Sequence, residues 1–205
     1  MEKYRRMKTL VVGTKNKDKS SEIRTLLKDV PVRVLSLSDF PDCPEVIENG
    51  KTFVANAEKK AKGYSKYTCA LTLADDSGLM VSYLNGKPGV YSARFAGENC
   101  SYQDNNRKLL RLLEKIPVHK RKAKFVCVMS LYDNGRRVNT VRGECEGTIA
   151  LSERGKHGFG YDPVFIPKGF KKTFAELGQA KNKISHRAKA LKAAKQIISE
   201  YISRE

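Results

Sequence analysis

Two adjacent carboxylates, Asp75 and Asp76, follow an apolar run at residues 71–74 and precede Ser77 and Gly78. Ionised carboxylates beside a core are costly unless something positive compensates them, and a divalent cation would do so. Mg²⁺ commonly takes one or two carboxylates plus substrate phosphates, and a neighbouring carboxylate can then orient or deprotonate an attacking water. The same four residues also read as an acidic turn punctuated by Ser77 and Gly78. A second polar cluster, Thr14-Lys15-Asn16-Lys17-Asp18-Lys19, joins an apolar run to a helical pattern. Free backbone N–H groups and the positive end of a helix dipole favour a phosphate there, and Lys19 adds a mobile full charge. No glycine-rich P-loop accompanies this cluster, so an ordinary solvated loop is the competing explanation.

Further along, Phe159, Gly160, Tyr161 and Asp162, preceded by Gly158 and followed by Pro163, put two aromatics, flexible residues and a carboxylate in one short segment. A ring platform with backbone polar groups suits a nucleobase; aromatic core anchors at a strand entry are the alternative. Lys181 precedes Ser185-His186-Arg187, where Ser185 can cap a helix and the next two side chains extend from its first turn. Phosphate or base recognition is one reading of that segment, and a plain surface helix start is the other.

These groups need elements to hold them. Thr9–Val12 reads as a buried strand ending at Gly13, followed by a helix over 20–27 and a second strand over 32–37. From Thr52 to Tyr67, the residues Phe53, Ala57, Ala61 and Tyr64 recur at helical spacing. Residues 71–74 read as a strand stopped by Asp75, with 79–84 pairing back before the turn Asn85-Gly86, which leaves both carboxylates at a strand end. A helix is expected over 101–113, with Ser101 and Asp104 as a variant capping box, and a hairpin over 123–132 and 137–145 around Asp133-Asn134-Gly135. The last helix begins near Ser185, with Ile184, Ala188, Leu191, Ile198 and Ile202 on one stripe and Lys189, Lys192 and Lys195 off it. With no repeat, linker or composition break, this mixture predicts one α/β domain over 1–205, residues 1–6 being a disordered extension.

Composition narrows the chemistry. The chain has 205 residues, long enough for a substantial core without disulfides or obligatory metals. Forty Lys and Arg against 22 Asp and Glu leave a net charge of +18, which points to a polyanionic ligand: nucleotide, nucleic acid or anionic lipid. Lys189, Lys192, Lys195 and similar exposed positions carry much of the excess as solvated surface. Five cysteines are odd in number and never spaced CxxC, which argues against a disulfide framework or structural zinc. Cys127, in an apolar run, reads as a small buried hydrophobe. No apolar run approaches a membrane span, and the opening stretch is too short for a secretory signal, so a cytoplasmic protein is expected.

Taken together, TKNKDKSSE, NGKTFVANAEKKA, ADDSGLMVSYLNGKPGVYSARFAG, GFGYDPVFIP and KNKISHRAKAL, in that order and over most of the chain, resemble the inosine/xanthosine triphosphate pyrophosphatase family. The resemblance implies an elongated mixed central sheet flanked by helices, two lobes with the active site in the cleft between them, and a homodimer. It implies hydrolysis of ITP, dITP and XTP to the monophosphate and pyrophosphate, by water attacking the α-phosphorus, with Mg²⁺ as cofactor. By matching positions, Thr14, Lys15, Asn16, Lys17, Asp18 and Lys19 correspond to the phosphate-binding loop and Asp76 to the metal-linked carboxylate and proton acceptor, flanked by Asp75 and Ser77. Phe159, Gly160, Tyr161 and Asp162 correspond to the nucleoside segment, Lys181 to a substrate-binding lysine, and His186 with Arg187 to the pair near the base.

Two positions depart from the family pattern. Many relatives carry Glu-Asn-Ala where this chain has Ala55-Asn56-Ala57, so Ala55 inherits no acidic role. Where some relatives place a metal-binding glutamate this chain has Ile47, and Glu48, with Glu45 as the alternative, is assigned as the second metal ligand beside Asp76. Transition-state charge would be met by the metal on Asp76 and by Lys19 and Lys181. Which of Asp75 and Asp76 is the base is left open, because paired carboxylates and a metal share their titration. A Maf-type nucleotide pyrophosphatase would share architecture and reaction but favour another base; the FGYD and SHR segments speak against it. A nucleic-acid-binding module would explain +18 directly but not the ADDSG segment, so nucleic acid is not expected as the physiological ligand.

Overall fold

Three consecutive apolar side chains with no alternation, Leu10, Val11 and Val12, are fully buried in β1 (Thr9–Val12) of the computed structural model, which describes residues 8–204. Such a run suits an interior parallel strand covered on both faces. Its neighbours β2 (Arg33–Ser36) and β3 (Leu71–Val81) both run parallel to it, Val11 lying opposite Leu35 and Thr72. The six-stranded sheet has the order β2-β1-β3-β4-β5-β6, with β4 at Lys122–Asp133, β5 at Arg136–Ile149 and β6 at Phe165–Pro167 antiparallel to β5. A two-residue turn, Asn134-Gly135 with φ of 43° and 78°, closes the anticipated β4–β5 hairpin. Helices α1 (Lys17–Leu26), α2 (Phe53–Thr68), α3 (Tyr102–Leu112), α4 (Phe174–Leu177) and α5 (His186–Ser203) flank the sheet, giving the expected mixed α/β class. The extension expected at 1–6 lies outside the described residues.

The chain divides into two compact units, one of residues 8–76, 128–142 and 190–204, the other of 77–127 and 143–189. The first has a core in which Val11, Leu37, Cys43 and Tyr64 pack with Leu35 and Phe40. The second gathers Leu79, Leu109, Phe125, Ile149, Phe165 and Phe174. In this second unit α3 is fixed at both ends. Ser101 and Asp104 form the anticipated capping box, and the fully buried Arg121 guanidinium donates to the carbonyls of Leu113, Ile116 and Ala150 at 2.7, 2.8 and 2.9 Å.

Several boundaries differ from the sequence expectation, each for a visible reason. Strand β3 is not stopped by Asp75 but runs unbroken through Asp76, Ser77 and Gly78, because the carboxylates find cations and an amide within the first unit. Residues 79–84 therefore do not pair back on it. Instead Ser82–Leu84 forms a 3₁₀ turn, and Val81 receives a hydrogen bond from Gly86 and donates one to Lys87. Helix α1 starts at Lys17 rather than Ser20, since the Asn16 side chain accepts from the Lys19 amide at 3.0 Å. Strand β2 stops at Ser36, where Asp39 accepts from the Ser36 amide and hydroxyl at 2.7 and 3.0 Å. On α5 the buried stripe is carried by Ala190, Leu191, Ala194 and Ile198, while Ala188 is half-buried; Lys189 and Lys192 are exposed as expected, and Lys195 pairs with Asp29. None of the five cysteines, all among the described residues, forms a disulfide, and Cys127 is fully buried in β4. Among the described residues no helix is long and apolar enough to cross a membrane.

Candidate active site

Within the first unit, β1 delivers the chain to a short loop whose residues behave differently from one another. Thr14 is buried, its hydroxyl accepting from the Asn16 amide at 3.2 Å, and Asn16 caps α1. Lys17, Asp18 and Lys19 form the first helical turn instead of a loop. Asp18 there meets the positive end of the helix dipole, and the exposed Lys17 projects from the same turn. Lys15 lies on the surface, 3.9 Å from Glu45. Lys19 turns inward, its Nζ 3.4 Å from Oδ2 of the fully buried Asp75.

Helix α2 supplies two groups that the sequence reading did not single out. Asn56 and Lys60 sit one turn apart on its buried side, beside Ala57 and Ala61. Asn56 Nδ2 donates to Asp76 Oδ2 at 2.9 Å, and its Oδ1 accepts from the Gly50 amide at 2.7 Å. Lys60 Nζ lies 2.8 Å from Glu48 Oε2. Burial alone would pull the Lys60 pKa down, but Asp75, Glu48 and Asp76 more than reverse this and hold it above the ordinary lysine value. For Asp76 burial wins: its carboxyl is raised above the ordinary value although Lys19, Lys60 and Asn56 oppose the rise. Glu48 thus joins the cluster, whereas Glu45 and Ile47, both exposed, do not.

No group of three or more His, Cys, Asp or Glu among the described residues is arranged to hold a metal. The cluster offers two hard-oxygen ligands, Asp76 and Glu48, within electrostatic reach of one ammonium. That donor set fits Mg²⁺, which needs few protein carboxylates when phosphates complete its shell.

Replacing Lys60 by methionine tests the arrangement. Removing one partner of a buried pair costs about 3–5 kcal/mol. Glu48 keeps 38% of its side chain exposed, so screening trims the loss. A fall of at least about 2 kcal/mol, or about 4–8 °C in Tm, is expected in metal-free buffer, recovered in part by millimolar Mg²⁺. An unchanged Tm would show that the carboxylates do not depend on this ammonium.

The second unit holds the remaining candidates. Asp162 Oδ2 accepts from the Phe159 amide at 3.0 Å and from Lys181 Nζ at 2.5 Å, both Asp162 and Lys181 being buried. The half-buried Phe159 ring has Lys181 Nζ 5.0 Å and the Arg187 guanidinium 5.6 Å from its centre. Gly158, at φ 79°, must lack a side chain, since a Cβ there would lie 2.0 Å from Asp162 Oδ2. Arg187 also donates to Ser77 Oγ at 3.0 Å, and His186 stacks on Phe125 at 4.5 Å and 7°. Ser185 caps α5 through the Ala188 amide, as the sequence suggested.

Two of these side chains have settled partners. Tyr161 fits the core-anchor alternative: it is buried, its hydroxyl donates to the Ser92 carbonyl at 2.9 Å, and burial pushes its phenol far above the ordinary value. Lys181 is engaged by Asp162, and its Nζ also lies over the Phe159 ring. An open groove of about 930 Å³ in this unit, between Met80, Lys122, Glu146 and Phe170, contains none of these side chains.

Fold and site together define an α/β protein with two carboxylates on one parallel strand met by lysines from two helices, and an aromatic, cation-flanked loop suited to a nucleoside. The chain belongs to the Ham1 family, whose profile matches residues 10–197. It is 50% identical over 198 residues to the dITP/XTP pyrophosphatase of Desulforamulus reducens, covering 96% of this chain and 98% of that one. To the dITP/XTP pyrophosphatase of Geobacter sulfurreducens it is 52% identical over 186 residues, covering 90% and 94%. Among solved structures, a HAM1 protein from Coxiella burnetii superposes with a TM-score of 0.84 at 39% identity, over 95% of this chain and 100% of that one. A nucleoside-triphosphatase and dITP/XTP pyrophosphatase from Mycobacterium abscessus gives 0.73 at 40% identity, over 91% and 98%.

Proposed function

We propose that this chain hydrolyses aberrant purine nucleoside triphosphates, ITP, dITP and XTP, to the nucleoside monophosphate and pyrophosphate. The observation that carries this reading is the cluster of buried Lys60, Asp75 and Asp76 with the half-buried Lys19 and Glu48, in a chain about half identical to dITP/XTP pyrophosphatases over nearly its whole length. The α1 N-terminus and Lys19 bind the phosphate chain, and Lys60 adds a second ammonium. Asp76 orients the attacking water and takes its proton as the water oxygen bonds to the α-phosphorus and pyrophosphate leaves. Asp75 serves as the counter-charge that aims Lys19, being fully buried against it. Asp76 and Glu48, together with substrate phosphates, would hold Mg²⁺, which would supply charge neutralisation. The base stacks on Phe159 and is read by Lys181, His186 and Arg187.

The chain over 1–205 works as one nucleoside triphosphate pyrophosphatase domain. The enzyme works as a homodimer by family resemblance, and in the cytoplasm, where its substrates are made and where free thiols persist. A substrate panel tests the reading: ITP, XTP, dITP, ATP, GTP and dTTP with and without Mg²⁺, quantifying pyrophosphate and monophosphate. Selective, Mg²⁺-dependent release of pyrophosphate from the first three is expected. Release of orthophosphate, or a preference for dTTP, would overturn it.

A further inference from the structure

We propose that Asn106 is a positioning residue for base recognition, acting through the backbone of the Phe159 loop; the proposal rests on the reading of that loop as the base site. The first turns of α3 place Tyr102 and Asn106 four residues apart, hence on one face. Both meet the same loop: the Tyr102 ring lies 5.9 Å from the Phe159 ring, and Asn106 Nδ2 donates to the Gly160 carbonyl at 3.1 Å.

Asn106 is 1% exposed, and its Oδ1 accepts no hydrogen bond among the described residues. Exchanging the amide's oxygen and nitrogen would set two acceptors against each other at Gly160, so the carbonyl fixes its orientation. A buried amide that uses its donor and leaves its acceptor idle is a poor choice for packing alone. It makes sense where a donor is needed at one backbone carbonyl.

The loop needs such a donor. Gly158 and Gly160 both have positive φ, 79° and 63°, and a Cβ at Gly160 would touch nothing within 4 Å, so side-chain packing does not hold that residue. Three hydrogen bonds hold the segment instead: the Asp162 amide donates to the Phe159 carbonyl at 3.3 Å, closing the turn, and two others pin the peptides on either side of it. Asp162 pins the peptide before Phe159 through the Phe159 amide, and Asn106 pins the peptide after Gly160 through its carbonyl. The torsions that aim the Phe159 ring beneath Lys181 and Arg187 lie between those two pinned planes. Losing the Asn106 donor frees one of them while leaving the phosphate-handling lysines of the first unit untouched.

The test compares Asn106→Leu, near-isosteric and without a donor, with Asn106→Gln, which keeps one. For each, Tm, kcat and KM for ITP with Mg²⁺, and the inhibition constant of inorganic tripolyphosphate, a probe with no base, are measured. The expected result for Asn106→Leu is a KM for ITP raised at least tenfold, kcat within threefold, an unchanged tripolyphosphate constant and partial recovery in Asn106→Gln. An unchanged KM, a parallel rise in KM and the tripolyphosphate constant, or failure of both variants to fold would overturn the proposal in favour of a purely structural role. Phe159→Ala, run alongside, separates the two levels. If it raises KM where Asn106→Leu does not, only the role of Asn106 falls; if it too leaves KM unchanged, the base-site reading falls with it.

Discussion

Asp76→Asn is expected to abolish turnover of ITP while raising the thermal stability of the metal-free protein. The two effects share one cause. Asp76 is buried within β3, and desolvation outweighs the help of Lys19, Lys60 and Asn56, so its carboxyl is raised above the ordinary value. A carboxyl with a raised folded-state pKa binds more protons in the folded than in the unfolded protein between the two values. The associated stability is present below the ordinary carboxylate pKa and is lost as pH rises through the folded one. At neutral pH wild type therefore carries the cost of a buried charge, and the neutral, nearly isosteric asparagine relieves it. The same charge is what a metal and a proton from water require. Removing a general base costs about 10²- to 10⁴-fold, or about 3–5 kcal/mol of transition-state stabilisation. Assays with saturating Mg²⁺ and calorimetry in chelator check the two halves. A variant active within tenfold of wild type sinks the catalytic assignment, and a lowered Tm in chelator sinks the account of its burial.

The carboxylates' neighbours show how far the sequence could be read. Asp75-Asp76 stood out because paired acids after an apolar run demand compensation, and that demand is met, though by lysines and an amide from outside the local segment. Asn56 and Lys60 could have been found by the same logic. Each immediately precedes an alanine of the stripe Phe53, Ala57, Ala61, Tyr64, and an apolar face more than about 100° wide takes in both. A lysine inside such a face needs a carboxylate partner, and Glu48 twelve residues earlier was already under consideration for the metal. What local pattern could not supply was the course of β3. Asp, Ser and Gly are poor strand formers, so the segment reads as a turn until the partners of its side chains are known. For Tyr161 the sequence left anchor and platform both open. Its type and spacing match Phe159, and only the Ser92 carbonyl waiting for its hydroxyl distinguishes an anchor from a platform.

Arg187→Ala is expected to lower kcat/KM for ITP far more than for ATP. Arg187 is 3% exposed, held by Ser77 Oγ at 3.0 Å with its guanidinium 5.6 Å from the Phe159 ring centre, so a purine brought to Phe159 meets a fixed cationic donor. Hypoxanthine and xanthine offer an acceptor at C6, whereas adenine offers an amino group that leaves the donor unpaired. An unpaired buried polar group costs about 1–3 kcal/mol, so this mismatch supplies roughly tenfold to hundredfold discrimination against ATP. Deleting the guanidinium forfeits the bond to ITP and removes the penalty on ATP, so the two substrates converge. Guanine shares the C6 acceptor and its rejection does not depend on Arg187, so the ratio of ITP to GTP should move little. Ser77→Ala, which frees the guanidinium without removing it, should shift the ITP to ATP ratio in the same direction by a smaller factor. Steady-state kinetics for all three substrates in both variants decide the matter. A proportional loss for ITP and ATP would place Arg187 on the phosphates or in the scaffold, and a Ser77→Ala effect larger than that of Arg187→Ala would show that Ser77 meets the substrate itself.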